Sequence, residues 1–329
     1  MKTIVENLLS NRHRTIPILS FPSTQLLGIS VQELIASSDR QAEGMQAIAN
    51  RCAVGASLNM MDLSVEAEAF GAQVRFYENE IPAVEKGIIE DIDQAGSICV
   101  PPVGAGRTQL YIDGVRKAKE RITDLPVFCG IIGPYSLAGR LFDLTELMMT
   151  CYDDPDGVKI LLAKATAFLK DYLQAFKAAG ADGVIMAEPA AGMLSPSLAE
   201  EFSMPFVQEI FDAVDDPNFV ICYHNCGNAV ADMLPAVSQL HADIFHFGNA
   251  INLQKVLLAM PADKVIMGNV DPVLLQTGTT EDVKRAVRNA YDCCGRYDNF
   301  MISSGCDIPA AASWENIDAY FETVKELYG

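Results

Sequence analysis

Two hydrophobic periods alternate along the chain. Short, nearly uninterrupted apolar runs recur at IPILS (16–20), ASLNMMDLS (56–64), PVFCGIIG (126–133) and GVIMAEP (183–189), then at FVICYHNC (219–226), IFHFG (244–248), KVIMGNV (264–270) and FMISSGC (300–306). So little polar interruption over so few residues predicts strands buried on both faces, as in a parallel sheet. The intervening segments are helical in pattern. Residues 158–179 repeat apolar positions at spacings of three and four and stop at Gly180. Residues 195–214 predict a helix capped by Ser195 with Pro196 at its first position. Residues 228–240, capped by Asn228, and 280–294 and 313–328 predict three more helices. The intervals 65–125 and 134–182 are longer than simple crossovers, so they predict further helices or a lid, with GAGRTQLYIDG (104–114) as a loop.

Eight strands alternating with helices predict an α/β fold, a closed (β/α)8 TIM barrel. No linker-like composition and no internal repeat interrupts it, so residues 1–329 are expected to form a single barrel domain. No G-x-G-x-x-G follows the first strand, which argues against a dinucleotide fold.

In such a barrel the chemistry sits where the strands end. The ends carry Asp62, Glu188, His224 with Cys226, His246 with Asn249, Asn269 with Asp271, and Cys306 with Asp307. Polar groups are costly in apolar surroundings unless something uses them. Residues two apart on a strand share a face, so His224 and Cys226 point together while Asn225 points away. Cys306 arrives at the same level from the eighth strand. One imidazole and two thiolates form a zinc donor set whose fourth position stays open, as in catalytic zinc. The residues alone leave a second reading standing: a hydrogen-bonded strand-end histidine beside small buried thiols. His246 is a partner of the ligands, a substrate contact, a fourth ligand or a core histidine. Asp271 reads as a cap before Pro272. Glu188 and Asp62 suit acid–base work without naming a reaction, and Ser303–Ser304 lack the G-x-S-x-G elbow of a nucleophile.

Composition narrows the classes. Half the residues are apolar and a fifth charged, which suits a compact soluble protein with a large core. The net charge of −19 opposes nucleic acid and anionic membrane as partners. No apolar stretch approaches membrane-spanning length, and the N-terminus lacks the pattern of a signal peptide. Nine scattered cysteines without an export signal are expected to be reduced thiols, hence a cytoplasmic setting.

The stretches AAGMLSPSLAEEFSMPF (190–206), GNVDPVLL (268–275), IPAAASWENI (308–317) and IGPYSLAGRL (132–141) together resemble the uroporphyrinogen decarboxylase superfamily. The resemblance runs in order from about residue 54. It implies a (β/α)8 barrel with extra N-terminal helices. The decarboxylase itself fits poorly, because RHRTIPILSFPS (12–23) lacks the R-Q-A-G-R pattern and Cys306 stands where that branch has a histidine. YHNCGN and SSGCDI instead resemble the zinc-containing, cobalamin-dependent methyltransferase branch. That likeness implies three zinc ligands, His224, Cys226 and Cys306, and a corrinoid carried by a partner protein. It implies methyl transfer from a small methylated substrate, such as a methoxyarene or methylamine, to the corrinoid cobalt, as in the first half of an O-demethylase. Transfer from the methylated corrinoid protein to a thiol such as coenzyme M, or to tetrahydrofolate, is the close alternative; a decarboxylase or a non-catalytic binding barrel are the others. Glu188 and His246 are the expected catalytic residues. Asp62, Tyr223, Asn249, Asn269 and Asp271 are the expected substrate contacts.

Overall fold

The computed structural model describes residues 1–329. Its strands are β1 (Ser57–Leu58), β2 (Gln73–Arg75), β3 (Ala83–Lys86), β4 (Val127–Ile132), β5 (Gly183–Ala187), β6 (Val220–Asn225), β7 (Ile244–Phe247), β8 (Val265–Val270) and β9 (Phe300–Ser304). Seven form a parallel sheet in the order β1-β4-β5-β6-β7-β8-β9, and β2 and β3 make a separate antiparallel hairpin. The sheet curls into a TIM-barrel-like cylinder with helices outside it. Four helices precede β1: Thr3–Ser10, Ser23–Leu27, Val31–Ile35 and Ser38–Arg51.

Two apolar layers reflect the alternation of strand side chains. An inner cluster, including Ile16, Ile18, Leu58, Phe128, Ile185 and Cys222, fills the lumen. A larger cluster packs the outer strand faces against the helices. This is the arrangement that makes both faces of the strands apolar in sequence.

The first expected strand departs from prediction. Residues 16–20 form no ladder, because Pro17 has no N–H to give one. They nonetheless occupy the gap between β9 and β1. Thr15 bridges Val54, and the Gly55 N–H donates to Thr15 O at 2.8 Å. Towards β9 the contacts run through hydroxyls. Ser303 Oγ donates to Ile16 O at 2.8 Å, Ile18 N donates to Ser304 Oγ at 3.0 Å, and Thr15 Oγ1 donates to Ile302 O. Ser303 and Ser304 are thus the seam of the barrel.

Three other expectations are corrected. Residues 104–114 are not a loop throughout: helix Thr108–Arg121 begins inside them. Its Gly114 lies against helix Ser38–Arg51, where a Cβ would meet Gln41 Oε1 at 2.7 Å, so the glycine marks a close approach rather than a turn. Residues 195–214 are two helices, Pro196–Phe202 and Met204–Val214, divided at Ser203 ahead of Pro205. Residues 228–240 form a 3-10 turn, Asn228–Met233, followed by one short helix, Leu234–Val237. Pro235 at the start of that helix has no N–H to continue the preceding turn.

Candidate metal centre

The register of the sheet sets the centre. His224 on β6 pairs with His246 on β7, and both rings point inward, with centroids 4.6 Å apart. Two residues beyond His224, just past β6, comes Cys226; Cys306 follows β9. The donor atoms of His224, Cys226 and Cys306 all lie within 4.8 Å of one another. His224 is 2% exposed, and both cysteines are half-buried.

The histidine tautomer follows from its hydrogen bond. His224 Nδ1 is 3.3 Å from His246 O, and a carbonyl can only accept, so Nδ1 carries the proton. The Nε2 lone pair then faces Cys306 Sγ at 3.6 Å. This is how a metal-binding imidazole is usually oriented. The His224–Cys306 separation also fits zinc. With Zn–S near 2.3 Å and Zn–N near 2.0–2.1 Å, tetrahedral angles put nitrogen and sulfur about 3.6 Å apart.

The thiols are electronically prepared. Hydrogen bonding from Cys306 draws Cys226 down to about 7, against the opposing effect of burial. The same bond and burial push Cys306 up to about 12. One sulfur is therefore close to thiolate at neutral pH, and the shared proton is what an arriving dication displaces.

Two glycines let the ligands converge. A Cβ on Gly248 would meet the Cα and Cβ of Cys226 at 2.7 and 2.8 Å; one on Gly305 would meet Asn249 N at 2.6 Å. Both contacts are backbone or Cβ, so neither can swing aside.

The remaining expected residues are placed as follows. Buried His246 donates from Nε2 to Ser304 O at 2.6 Å, leaving Nδ1 without a partner. Burial holds it well below the ordinary histidine range, and so neutral. Glu188 is fully buried and accepts from Tyr135 N at 2.9 Å and Ser136 N at 2.7 Å, and from Ser136 Oγ. It anchors the start of helix Pro134–Leu141. Asp62 is engaged by Arg107 Nη1 at 2.5 Å, Tyr111 OH at 2.8 Å, and Ser64 N and Oγ at 3.1 and 2.6 Å. Tyr223 lies in the outer cluster, its hydroxyl accepting from Asn225 Nδ2 at 3.1 Å. Asn269 Nδ2 donates to Gly248 O and Ile251 O, tying the loop after β7 to β8. Asp271 caps helix Pro272–Thr277 through Val273 N. Asn249 is exposed and lies beside Gly305, next to the metal cluster.

Sequence reasoning missed Arg107 and Tyr111, which share Asp62, because they fall in the stretch read as a loop. It also missed Glu66, 2% exposed, whose Oε1 accepts from Ile132 N at 3.0 Å while Oε2 has no partner.

Glu66 and Glu188 give a pH signature. Burial pushes both carboxyls up to about 7. The folded chain keeps protons there that the unfolded chain releases above about 4.5, so stability falls as pH rises from 4.5 through 7. His246 acts oppositely and only below about 6.5, where the unfolded chain gains a proton that the folded one refuses. On lowering pH from 8 to 6.5 each of these carboxyls is therefore expected to contribute about 1 kcal/mol of stability, against an opposing contribution from Cys226, whose thiol is drawn down to about 7 and so favours the folded state as pH rises. Denaturant midpoints across this range test it. Glu66→Gln places an amide where Oε2 is unpaired, so the stability difference between wild type and variant isolates the Glu66 share and is expected to change by about 1 kcal/mol over this range; a constant difference sinks the assignment.

A family model described as uroporphyrinogen decarboxylase (URO-D) matches residues 19–327. The chain belongs to the URO-D family. Within it, the relatives divide between two chemistries. The chain is 24% identical over 278 residues to the methylcobamide:CoM methyltransferase MtbA of Methanosarcina acetivorans, covering 80% of this chain and 77% of that one. It is also 24% identical over 284 residues to a uroporphyrinogen decarboxylase of Dichelobacter nodosus, covering 84% and 80%. A solved structure described as a methyltransferase from Methanosarcina mazei superposes with a TM-score of 0.87 over all of both chains at 22% identity, which shows the same fold. No helix of this URO-D family member is long and apolar enough to cross a membrane.

Proposed function

We propose that this protein is a zinc-dependent methyltransferase that moves a methyl group from a small methylated substrate, a methoxyarene or methylamine, to the cobalt of a corrinoid on a separate protein. The observation that carries the reading is the cluster of His224, Cys226 and Cys306, whose donor atoms lie within 4.8 Å of one another and whose His224–Cys306 separation of 3.6 Å suits tetrahedral zinc. The MtbA relatives, whose name specifies a methylcobamide substrate, support the class of reaction.

Zinc, when bound, supplies a Lewis acid for the heteroatom from which the methyl departs. The chain does the rest. Three protein donors leave one position open to substrate. The His246 carbonyl fixes the His224 tautomer, and the buried ring of His246 holds β7 to β9 through Ser304 O. Glu188 keeps helix Pro134–Leu141 seated at the mouth, and Asn249, free of other bonds beside Gly305, is placed to contact substrate. The same ligand set serves transfer to a thiol, since a thiol becomes a competent nucleophile once deprotonated and held in line.

The test is metal analysis together with methyl transfer to a reduced corrinoid protein, followed by the visible absorbance of the cobalt. Chelator-treated protein is expected to lose transfer and regain it with zinc. Equal transfer by metal-free protein, or conversion of uroporphyrinogen to coproporphyrinogen, would overturn the proposal.

A further inference from the structure

Asp307 is the only carboxyl in the chain whose two oxygens are both buried and both without a hydrogen-bond partner. Glu66, the other acid with an unmet oxygen, still accepts from Ile132 N. Asp307 as a whole is partly exposed, so it is the carboxyl itself that turns inward while other atoms of the residue meet solvent. Such a group costs free energy unless something supplies donors. Protonation does not remove the cost, because the acid O–H would then lack an acceptor.

Its neighbours do not meet the need. The adjacent Ile308 N–H is given to Ile18 O at 2.9 Å. No lysine, arginine or histidine pairs with the carboxyl. The charged group that acts on it is the thiol of Cys306, whose ionised form repels it. Asp307 therefore lies within electrostatic reach of the donor cluster as well as next to it in the chain. Filling the metal site does not cancel its charge, since a zinc dication with two thiolates and a neutral imidazole is neutral overall. Asn249, exposed beside Gly305, brings a neutral amide to the same rim and no cation.

What the carboxyl lacks is a cation that carries N–H donors, and a chain of net charge −19 draws cations in. We propose that Asp307 receives a protonated amino group of the substrate, separate from the heteroatom that gives up the methyl. The two groups differ because an ammonium nitrogen has no lone pair to offer a Lewis acid. The ligand meets the carboxylate by rotation about the Cα–Cβ bond of Asp307, towards the side on which the residue is already exposed. This deepens the methyl-transfer reading and rests on it for the identity of the ligand as substrate: the methyl-bearing compound is a cation, not a neutral ether.

Calorimetry on the zinc-loaded protein, without any corrinoid protein, tests this. The probes share a methoxy-bearing ring and differ in charge: 3-methoxybenzylamine, 3-methoxytoluene and 3-methoxybenzoate. The amine is expected to bind about 10-fold or more tighter than the neutral toluene, and the benzoate no tighter than the toluene. Asp307→Asn is expected to erase the preference for the amine with zinc content unchanged and the thermal midpoint not lowered, and Asp307→Glu to keep part of it. Equal or weaker binding of the amine, no binding of it at millimolar concentration, or an Asp307→Asn protein that keeps the preference overturns the assignment. Loss of zinc from Asp307→Asn overturns it too, by making the carboxyl a metal ligand. Should Asp307→Asn prove unfolded, Asp307→Glu alone decides, since a carboxylate displaced by one methylene must alter the preference. Amine selectivity through Asp307 in a protein without zinc or methyl transfer would instead sink the proposed function and leave this site standing.

Discussion

Replacing Cys306 with alanine is expected to lower zinc affinity on the order of 1,000-fold or more, and methyl transfer with it. Changes to groups that merely orient a ligand already cost about 10–100-fold in metal affinity, and here one of the three proposed donors is lost. Cys226 also loses the hydrogen bond that draws its pKa to about 7, so the remaining pair is a poorer thiolate donor set at neutral pH. Folding should survive, because a half-buried cysteine beyond β9 contributes little apolar area. Metal content by mass spectrometry and the thermal midpoint are to be measured together. A Cys306→Ala protein that folds and still carries one tightly held zinc removes this cysteine from the site.

The largest effect on stability is expected from Arg107→Met. The Asp62 side chain is fully buried and that of Arg107 is 10% exposed, so removing the guanidinium leaves a carboxylate stranded among Tyr111 and Ser64. Breaking a buried pair from one side typically costs about 3–5 kcal/mol, whereas replacing both partners costs far less. Asp62→Asn combined with Arg107→Met is therefore expected to recover more than half of the loss in denaturant unfolding. Additive losses in the double variant would mean that the two residues act independently.

The barrel strands were legible because burial on both faces leaves short apolar runs that polar helices separate. Pro17 was the sign that one run, though buried, could not ladder, and it was read only as part of an apolar stretch. Helix Thr108–Arg121 was obscured by glycines at 104, 106 and 114, which look like turn residues until Gln41 is seen pressing on Gly114. The donor triad was legible in part: the spacing of His224 and Cys226 fixes a shared face, and Cys306 stands at another strand end. The partner of Asp62 was not, since Arg107 lies 45 residues away and nothing local ties them.

The hydroxyl seam bears on the order in which the molecule is made. Ser303 and Ile16 meet across 287 residues, so joining the first and last staves carries one of the longest loop-closure costs in the chain. Cys306 hangs just beyond that final stave, opposite two donors that belong to the middle of the sheet. A nascent or partly opened cylinder can present His224 and Cys226 but not the third sulfur at its proper place. On the proposed reading, metal competence is thereby a late event of folding, acquired only when the last strand has taken its place in the sheet.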